Sequence, residues 1–79
     1  MFKRTIPPLP KQKIWLNHTA KALHFRQSGP DITLSYEAED DAADTPILLE
    51  LTHHTAPGKF INTFLVNGTA CHAFIRPAE

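Results

Sequence analysis

The fold is decided by residues 59–76, which have the sequence KFINTFLVNGTACHAFIR. Asn67-Gly68 at the centre is the pair that type I′ turns prefer, because both turn positions need a positive φ. Apolar residues flank the turn on both sides, so the segment predicts a hairpin of two antiparallel strands. Counting outward from the turn places Phe64 opposite Cys71.

The same register predicts that this hairpin is apolar on both faces. It places Phe60 opposite Ile75 and Ile61 opposite Phe74. One face then carries Phe60, Phe64, Val66 and Ile75, and the other carries Ile61, Leu65 and Phe74. A small chain has core enough for one of these faces, and an uncovered apolar face marks an interface. We therefore predict a protein-binding surface formed by Ile61, Leu65 and Phe74.

A second hairpin precedes the first. The turn-forming run 28–31, Ser-Gly-Pro-Asp, separates two strand-like segments, residues 19–27 and 32–39. Pairing across the turn places Phe25 opposite Leu34 and Leu23 opposite Tyr36 on an apolar face shared with Ile32. The other face is polar, and on it Ala20, Ala22, His24 and Arg26 meet Thr33, Ser35, Glu37 and Glu39. This alternation is typical of a hairpin with one solvated side.

Two further short strands complete the predicted fold. Ile14-Trp15-Leu16 is an apolar cluster, and residues 47–54 alternate in strand fashion. Trp15 is the single tryptophan, and we expect it to anchor the core. The fold class predicted is all-β: a small antiparallel barrel or sandwich of five to six short strands.

Residues 1–12 contain Pro7, Pro8 and Pro10. Each proline fixes φ and removes an amide donor, so helix is excluded and extended backbone is favoured. We expect residues 1–12 to form a Pro-rich extended arm and residues 13–79 to form one small β domain.

Length and composition place the chain among small globular domains. It has 79 residues, of which 42% are hydrophobic and 20% charged, too apolar a mixture for intrinsic disorder. No apolar run reaches the ~18 residues of a membrane helix, so no membrane association is expected. One cysteine, Cys71, excludes an internal disulfide. The first residues lack the apolar stretch of a secretory signal, and we expect a reducing, cytoplasmic location.

The net charge is zero, but the charges are segregated. Residues 1–30 contain no acid and residues 31–58 contain no base, with an acidic loop at residues 39–44. Two interpretations remain open: a dipolar molecule that offers each half to a different partner, or a fold that brings the halves together so that their charges screen each other.

The sequence offers little for catalysis. Cys71 and His72 are neighbours that a strand would direct to opposite faces, so they do not form a nucleophile and base pair. His53 and His54 are also adjacent, so a strand would direct them to opposite faces and they could not both bind one metal ion together with Cys71. The acidic loop lacks the spacing of a calcium loop. We predict a protein that is not an enzyme and that holds no metal and no cofactor.

The function predicted is a non-enzymatic protein-binding or self-assembling module of the accessory, inhibitor or structural type, a kind common among phage and accessory bacterial proteins. Its partner would be another protein or a second copy of the chain. The alternative is a small β protein that binds nucleic acid through the basic first thirty residues, with Lys3, Arg4, Lys11, Lys13 and Trp15 as candidate contacts. A small metal protein or enzyme is the second alternative.

Overall fold

The computed structural model describes residues 1–78, and within them it contains seven antiparallel strands and no helix. The strands are β1 (Phe2–Ile6), β2 (Lys11–Asn17), β3 (Lys21–Ser28), β4 (Asp31–Glu37), β5 (Asp44–Thr52), β6 (Lys59–Val66) and β7 (Thr69–Pro77). The all-β prediction is therefore confirmed. The predicted number of five to six strands is too low.

The strands form two sheets. One has three strands in the order β1-β4-β3, and the other has four in the order β2-β5-β7-β6. The sheets face each other across a core whose fully buried side chains include Phe25, Ile32, Leu34 and Leu49. The molecule is 18 Å thick in its shortest dimension, as two packed sheets require.

The first hairpin has the predicted register near its turn. Phe25 lies opposite Leu34, and the pairing continues to Ser28 opposite Asp31. Further from the turn the register shifts, so that Lys21, rather than Ala22, pairs with Glu37. The shift is a β-bulge in which Ala22 takes a φ of 55°. The expected continuation of the pairing through Leu23 was therefore wrong.

The second hairpin also follows its predicted register near the turn and departs from it further away. Asn67 and Gly68 have φ values of 52° and 83°, as a type I′ turn requires. Phe64 lies opposite Cys71, as predicted. Beyond Asn62 a bulge shifts the pairing by one residue, so that Phe60 lies opposite Phe74.

This bulge corrects the expected faces of the hairpin. Ile61 has no direct partner in β7 and packs against the core. Phe60 takes the place beside Phe74 that the sequence assigned to Ile61. An extra residue in one strand reverses the side-chain alternation beyond it, and sequence counting from the turn cannot detect that.

Residues 1–12 do not form an arm outside the domain. Phe2 pairs with Tyr36 and Ile6 with Ile32, so β1 is an edge strand of the three-stranded sheet. The prolines lie in the connection between β1 and β2, where the chain crosses from one sheet to the other. The Pro10 carbonyl there accepts a 2.9 Å hydrogen bond from the Leu51 amide. Proline lacks an amide donor and therefore suits this connection better than a strand interior.

Side-chain amides bridge the two sheets where β3 meets β6. Asn62 Nδ2 donates a hydrogen bond to the Phe25 carbonyl, and Asn62 Oδ1 accepts one from the Phe25 amide, both at 2.9 Å. Near the turn, Gln27 accepts the Asn67 amide at 2.9 Å. A side chain thus supplies the hydrogen bonds that a neighbouring strand would make. The sheets remain separate, and the fold is a sandwich rather than a closed barrel.

Candidate protein-interaction face

Exposed apolar side chains gather on the outer face of the four-stranded sheet. Phe60 is 51% exposed, Leu65 is 61% exposed and Trp15 is 53% exposed. Strand pairing puts all three on this side: Phe60 lies opposite Phe74, and Leu65 opposite Ala70, on the face that β7 turns away from the core. The outer face of the other sheet is mostly polar instead, with Lys3, His24, Arg26 and Ser35. Met1, which lies beside them, is its large exposed apolar side chain. The two surfaces of the sandwich therefore differ in chemistry.

An aromatic groove runs along the β6 and β7 side of this face. It is a shallow depression, wide open to solvent, with a volume of about 690 Å³, and its lining residues are His54, Thr55, Phe60, Thr63, His72 and Phe74. The Phe60 and Phe74 ring centroids are 5.5 Å apart with planes inclined at 59°. Phe74 is only 8% exposed, yet it does not belong to the core cluster, since its ring lies on the outer face beside that of Phe60.

The polar groups of the groove are neutral residue types or histidine. Thr63 Oγ1 and His72 Nδ1 are 2.7 Å apart and share a hydrogen bond. This bond occupies one ring nitrogen and fixes the orientation of the imidazole. The His72 ring centroid lies 6.4 Å from that of Phe60. The groove is suited to a flat apolar group with a polar edge.

Trp15 and two lysines lie at the other side of the same face, on β2. Trp15 is opposite Pro46, and the buried residues Ile14 and Leu16 flank it in sequence. The expectation that Trp15 anchors the core was wrong. Since Ile14 and Leu16 point inward, strand alternation turns Trp15 outward. Lys13 Nζ lies 5.8 Å from the Trp15 ring centroid, a cation–π distance.

The predicted interface residues do not all share one surface. Leu65 and Phe74 lie on the outer face of the four-stranded sheet, with Leu65 more exposed than Phe74. Ile61 packs against the core on the other side of β6. Sequence reasoning missed Phe60 as a member of the face. The one available signal was Asn62, which is the polar residue among Phe60, Phe64 and Val66 on the face that counting from the turn predicts.

The residues proposed for nucleic-acid contact are divided between two surfaces. Lys11, Lys13 and Trp15 share the outer face of the four-stranded sheet. Lys3 lies on the outer face of the other sheet, opposite Ser35. Arg4 is opposite the buried Leu34, and its guanidinium donates to the Trp15 carbonyl across the side of the sandwich where β1 and β2 approach each other. Arg4 therefore joins the two sheets.

Strand pairing brings the basic and acidic halves of the chain together. Lys21 lies opposite Glu37, and Lys11 opposite Glu50. One salt bridge occurs among residues 1–78, where Arg76 Nη1 lies 3.1 Å from Glu50 Oε1. This arrangement favours mutual screening over two independent charged surfaces.

The cysteine and the histidines are dispersed. Cys71 is buried in the core, and His72 lies on the outer face. His53 is exposed, and its Nδ1 donates to the Ala70 carbonyl at 2.8 Å. Within the described residues, no group of three or more His, Cys, Asp or Glu side chains could hold a metal ion. Burial raises the pKa of the Cys71 thiol, and this effect outweighs the opposing hydrogen bond from the Thr52 backbone. At neutral pH the group is a thiol, which is a weak nucleophile.

Comparisons with known proteins add no assignment: no family model, curated protein or solved structure matches this chain. In the described part of the chain, no helix has the length and apolar character needed to cross a membrane.

Proposed function

We propose that this protein is a non-enzymatic binding module that associates with a second copy of itself through the outer face of its four-stranded sheet. The observation that carries the proposal is the exposure of Trp15, Phe60 and Leu65 on one side of the sandwich, opposite a polar side. Fully burying an exposed side chain of this kind contributes about 1.5–3 kcal/mol. Because Trp15, Phe60 and Leu65 are already about half buried, each would contribute about half of that on association, which favours a weak complex.

The size of the chain supports the same proposal. At 79 residues, a domain buries only about 60% of the surface that its unfolded chain exposes. Association adds buried apolar area that one copy cannot provide. Symmetric self-association is also the commonest form of assembly among soluble proteins.

The test is the solution mass of the protein by sedimentation, from low to high micromolar concentration. The expected result is a concentration-dependent dimer or higher oligomer, and a lower mass for Leu65→Lys. Because Leu65 is 61% exposed, the lysine variant should keep its fold. Ser35→Lys on the polar face is the control and should leave the mass unchanged. A wild-type monomer at high micromolar concentration would refute the proposal.

A second candidate function is binding of single-stranded nucleic acid, favoured by one observation. Lys13 lies 5.8 Å from the ring of the exposed Trp15, which pairs a stacking platform with a cation. Labelled single-stranded DNA and RNA would test it, because such binding weakens steeply with salt. No binding at 50 mM salt would eliminate this function.

A further inference from the structure

We infer that two copies pack face to face by exchanging tryptophans, so that Trp15 of each copy inserts into the aromatic groove of the other. The inference rests on the proposed self-association and specifies its contact. It follows from three features of the same sheet face: a projecting aromatic side chain, a groove suited to receive one, and their separation.

Trp15 supplies the projecting group. It is 53% exposed on a strand whose buried neighbours, Ile14 and Leu16, fix its direction. Its backbone carbonyl accepts a hydrogen bond from the Arg4 guanidinium, and this bond ties that part of β2 to the opposite sheet. An aromatic side chain on an anchored strand loses little conformational entropy when it is buried, and tryptophan is enriched among residues that dominate interface energies.

The groove supplies the receiving site. Phe60 and Phe74 form an angled wall of two rings, and the remaining lining is threonine and histidine. It contains no lysine, arginine, aspartate or glutamate. An indole could therefore enter the groove itself without meeting a charged side chain, and its N–H would find hydroxyl or imidazole acceptors at the rim. The contact also covers the charged residues between the groove and Trp15, which are Lys11, Lys13, Glu50 and Arg76.

The two features are too far apart for contact within one copy. Strand pairing places Lys11, Glu50, Phe74 and Phe60 in one row across the sheet. Trp15 lies four residues further along β2. With ~4.8 Å between strands and ~3.4 Å per residue, Trp15 and the groove are roughly 20 Å apart. A second copy is the natural source of an indole for the groove.

Symmetry makes the exchange reciprocal. A two-fold axis in the plane of the contact, midway between Trp15 and the groove, carries each feature onto its complement in the other copy. The residue nearest that midpoint is the half-buried Leu48. It lies two residues from Glu50 along β5, between Lys13 on β2 and Arg76 on β7. By the same spacings, the face measures roughly 19 by 24 Å. This area is at the small end of the range for specific protein interfaces, so we expect the dimer to be weak.

The experiment uses Trp15 as its own reporter, because the chain has one tryptophan. Wild-type emission should shift to the blue over the same concentration range in which the mass doubles. Trp15→Ala and Thr63→Lys, which places a charge in the groove, should each weaken dimerisation at least about tenfold. Phe60→Ser is the second groove variant and should weaken dimerisation in the same way. The matched control is Thr5→Lys at an exposed position of β1, which should leave both the mass and the emission of the protein unchanged.

Mixing the two variants gives the decisive measurement. The Trp15→Ala chain keeps a free groove, and the Thr63→Lys chain keeps the only tryptophan in the mixture. Emission of the mixture should shift to the blue, although neither variant shifts alone. Absence of that shift would overturn the exchange. A wild type that doubles its mass with constant emission would also overturn it while leaving the proposed self-association standing, whereas a monomeric wild type would remove both.

Discussion

Two glycines with positive φ are required for different reasons. Gly68 has a φ of 83° and open space around the position of an added Cβ. Gly58 has a φ of 114°, and an added Cβ would overlap the Ile75 carbonyl oxygen and lie 3.0 Å from the Arg76 Cβ. Substitution at Gly68 therefore costs backbone strain alone, and substitution at Gly58 adds a steric clash with β7.

Gly68→Val should lower the free energy of unfolding by more than about 1 kcal/mol, because a β-branched residue strongly resists positive φ. Gly58→Ala should cost more than Gly68→Ala, since only Gly58 has a backbone oxygen in the way. Urea denaturation of the three variants checks both statements. An unchanged midpoint for Gly68→Val would contradict the type I′ turn, and equal costs for the two alanine variants would contradict the clash.

Cys71 makes stability depend on pH in one direction. Burial raises the pKa of its thiol in the folded state, so the folded chain holds this proton to higher pH than the unfolded chain does. Below the unfolded pKa of ~8.5 both states are protonated, and the group contributes no pH dependence. Above that pH the unfolded thiol ionises first, so the unfolding free energy falls until the folded pKa is reached.

The stability difference between wild type and Cys71→Ala should therefore change with alkaline pH. Relative to the variant, the wild type should lose stability as pH rises from 8 to 10. Urea titrations of both proteins at several pH values provide the measurement. Using the difference removes the contribution of every other group, because both proteins share those groups. Parallel stability curves would show that the folded thiol ionises as readily as the unfolded one.

At the scale of elements, the bulge in β6 has two linked consequences. It turns Ile61 toward the sandwich, and it places Phe60 on the outer face beside Phe74. Asn62, the residue next to the bulge, keeps the register of the turn and faces inward like Phe64. Asn62 then reaches the backbone of Phe25 and closes the gap between β3 and β6. The bulge thus builds one wall of the aromatic groove, and the residue next to it joins the two sheets.

Asn62→Leu should destabilise the fold by about 1–3 kcal/mol, because it leaves the Phe25 amide and carbonyl without their partner. Hydrogen exchange at the Phe25 amide should accelerate more than at neighbouring core amides. Gln27→Leu is the matched control: its bonds to Asn67 are exposed, and water can replace them at a smaller cost. If both variants lowered the unfolding free energy equally, the hydrogen bonds of Asn62 to Phe25 would not be what holds β3 and β6 together.

At the scale of the whole molecule, charge and apolar surface are distributed differently. The basic strands β2 and β3 pair with the acidic strands β5 and β4, so part of the charge segregation along the sequence is balanced in space, as where Lys11 lies opposite Glu50 and Lys21 opposite Glu37. The apolar surface is not balanced in this way, because Trp15, Phe60 and Leu65 are all more than half exposed on the outer face of the four-stranded sheet, whereas Met1 is the one such side chain beside the charged residues of the other sheet's outer face, among the residues that the structure describes. The asymmetry that favours an interaction is apolar.

Self-association would make the melting temperature depend on protein concentration, because assembly stabilises only the folded state. The wild type should melt at a higher temperature as its concentration rises from low to high micromolar. Leu65→Lys should show a smaller increase, and Ser35→Lys should behave as the wild type. Differential scanning calorimetry at four concentrations is sufficient. A melting temperature independent of concentration in all three proteins would contradict the assembly.

The sequence by itself determined the all-β class, both hairpin turns and the pairing next to them. These features depend on local chemistry: positive φ at Asn67 and Gly68, and the alternation around Phe25 and Leu34. Only the tertiary structure decided the rest. The bulge in β6, the pairing of β1 with β4 and the outward position of Trp15 depend on which strands meet across the sandwich. Such contacts join residues distant in sequence, and a shift of one residue exchanges the two faces of a strand.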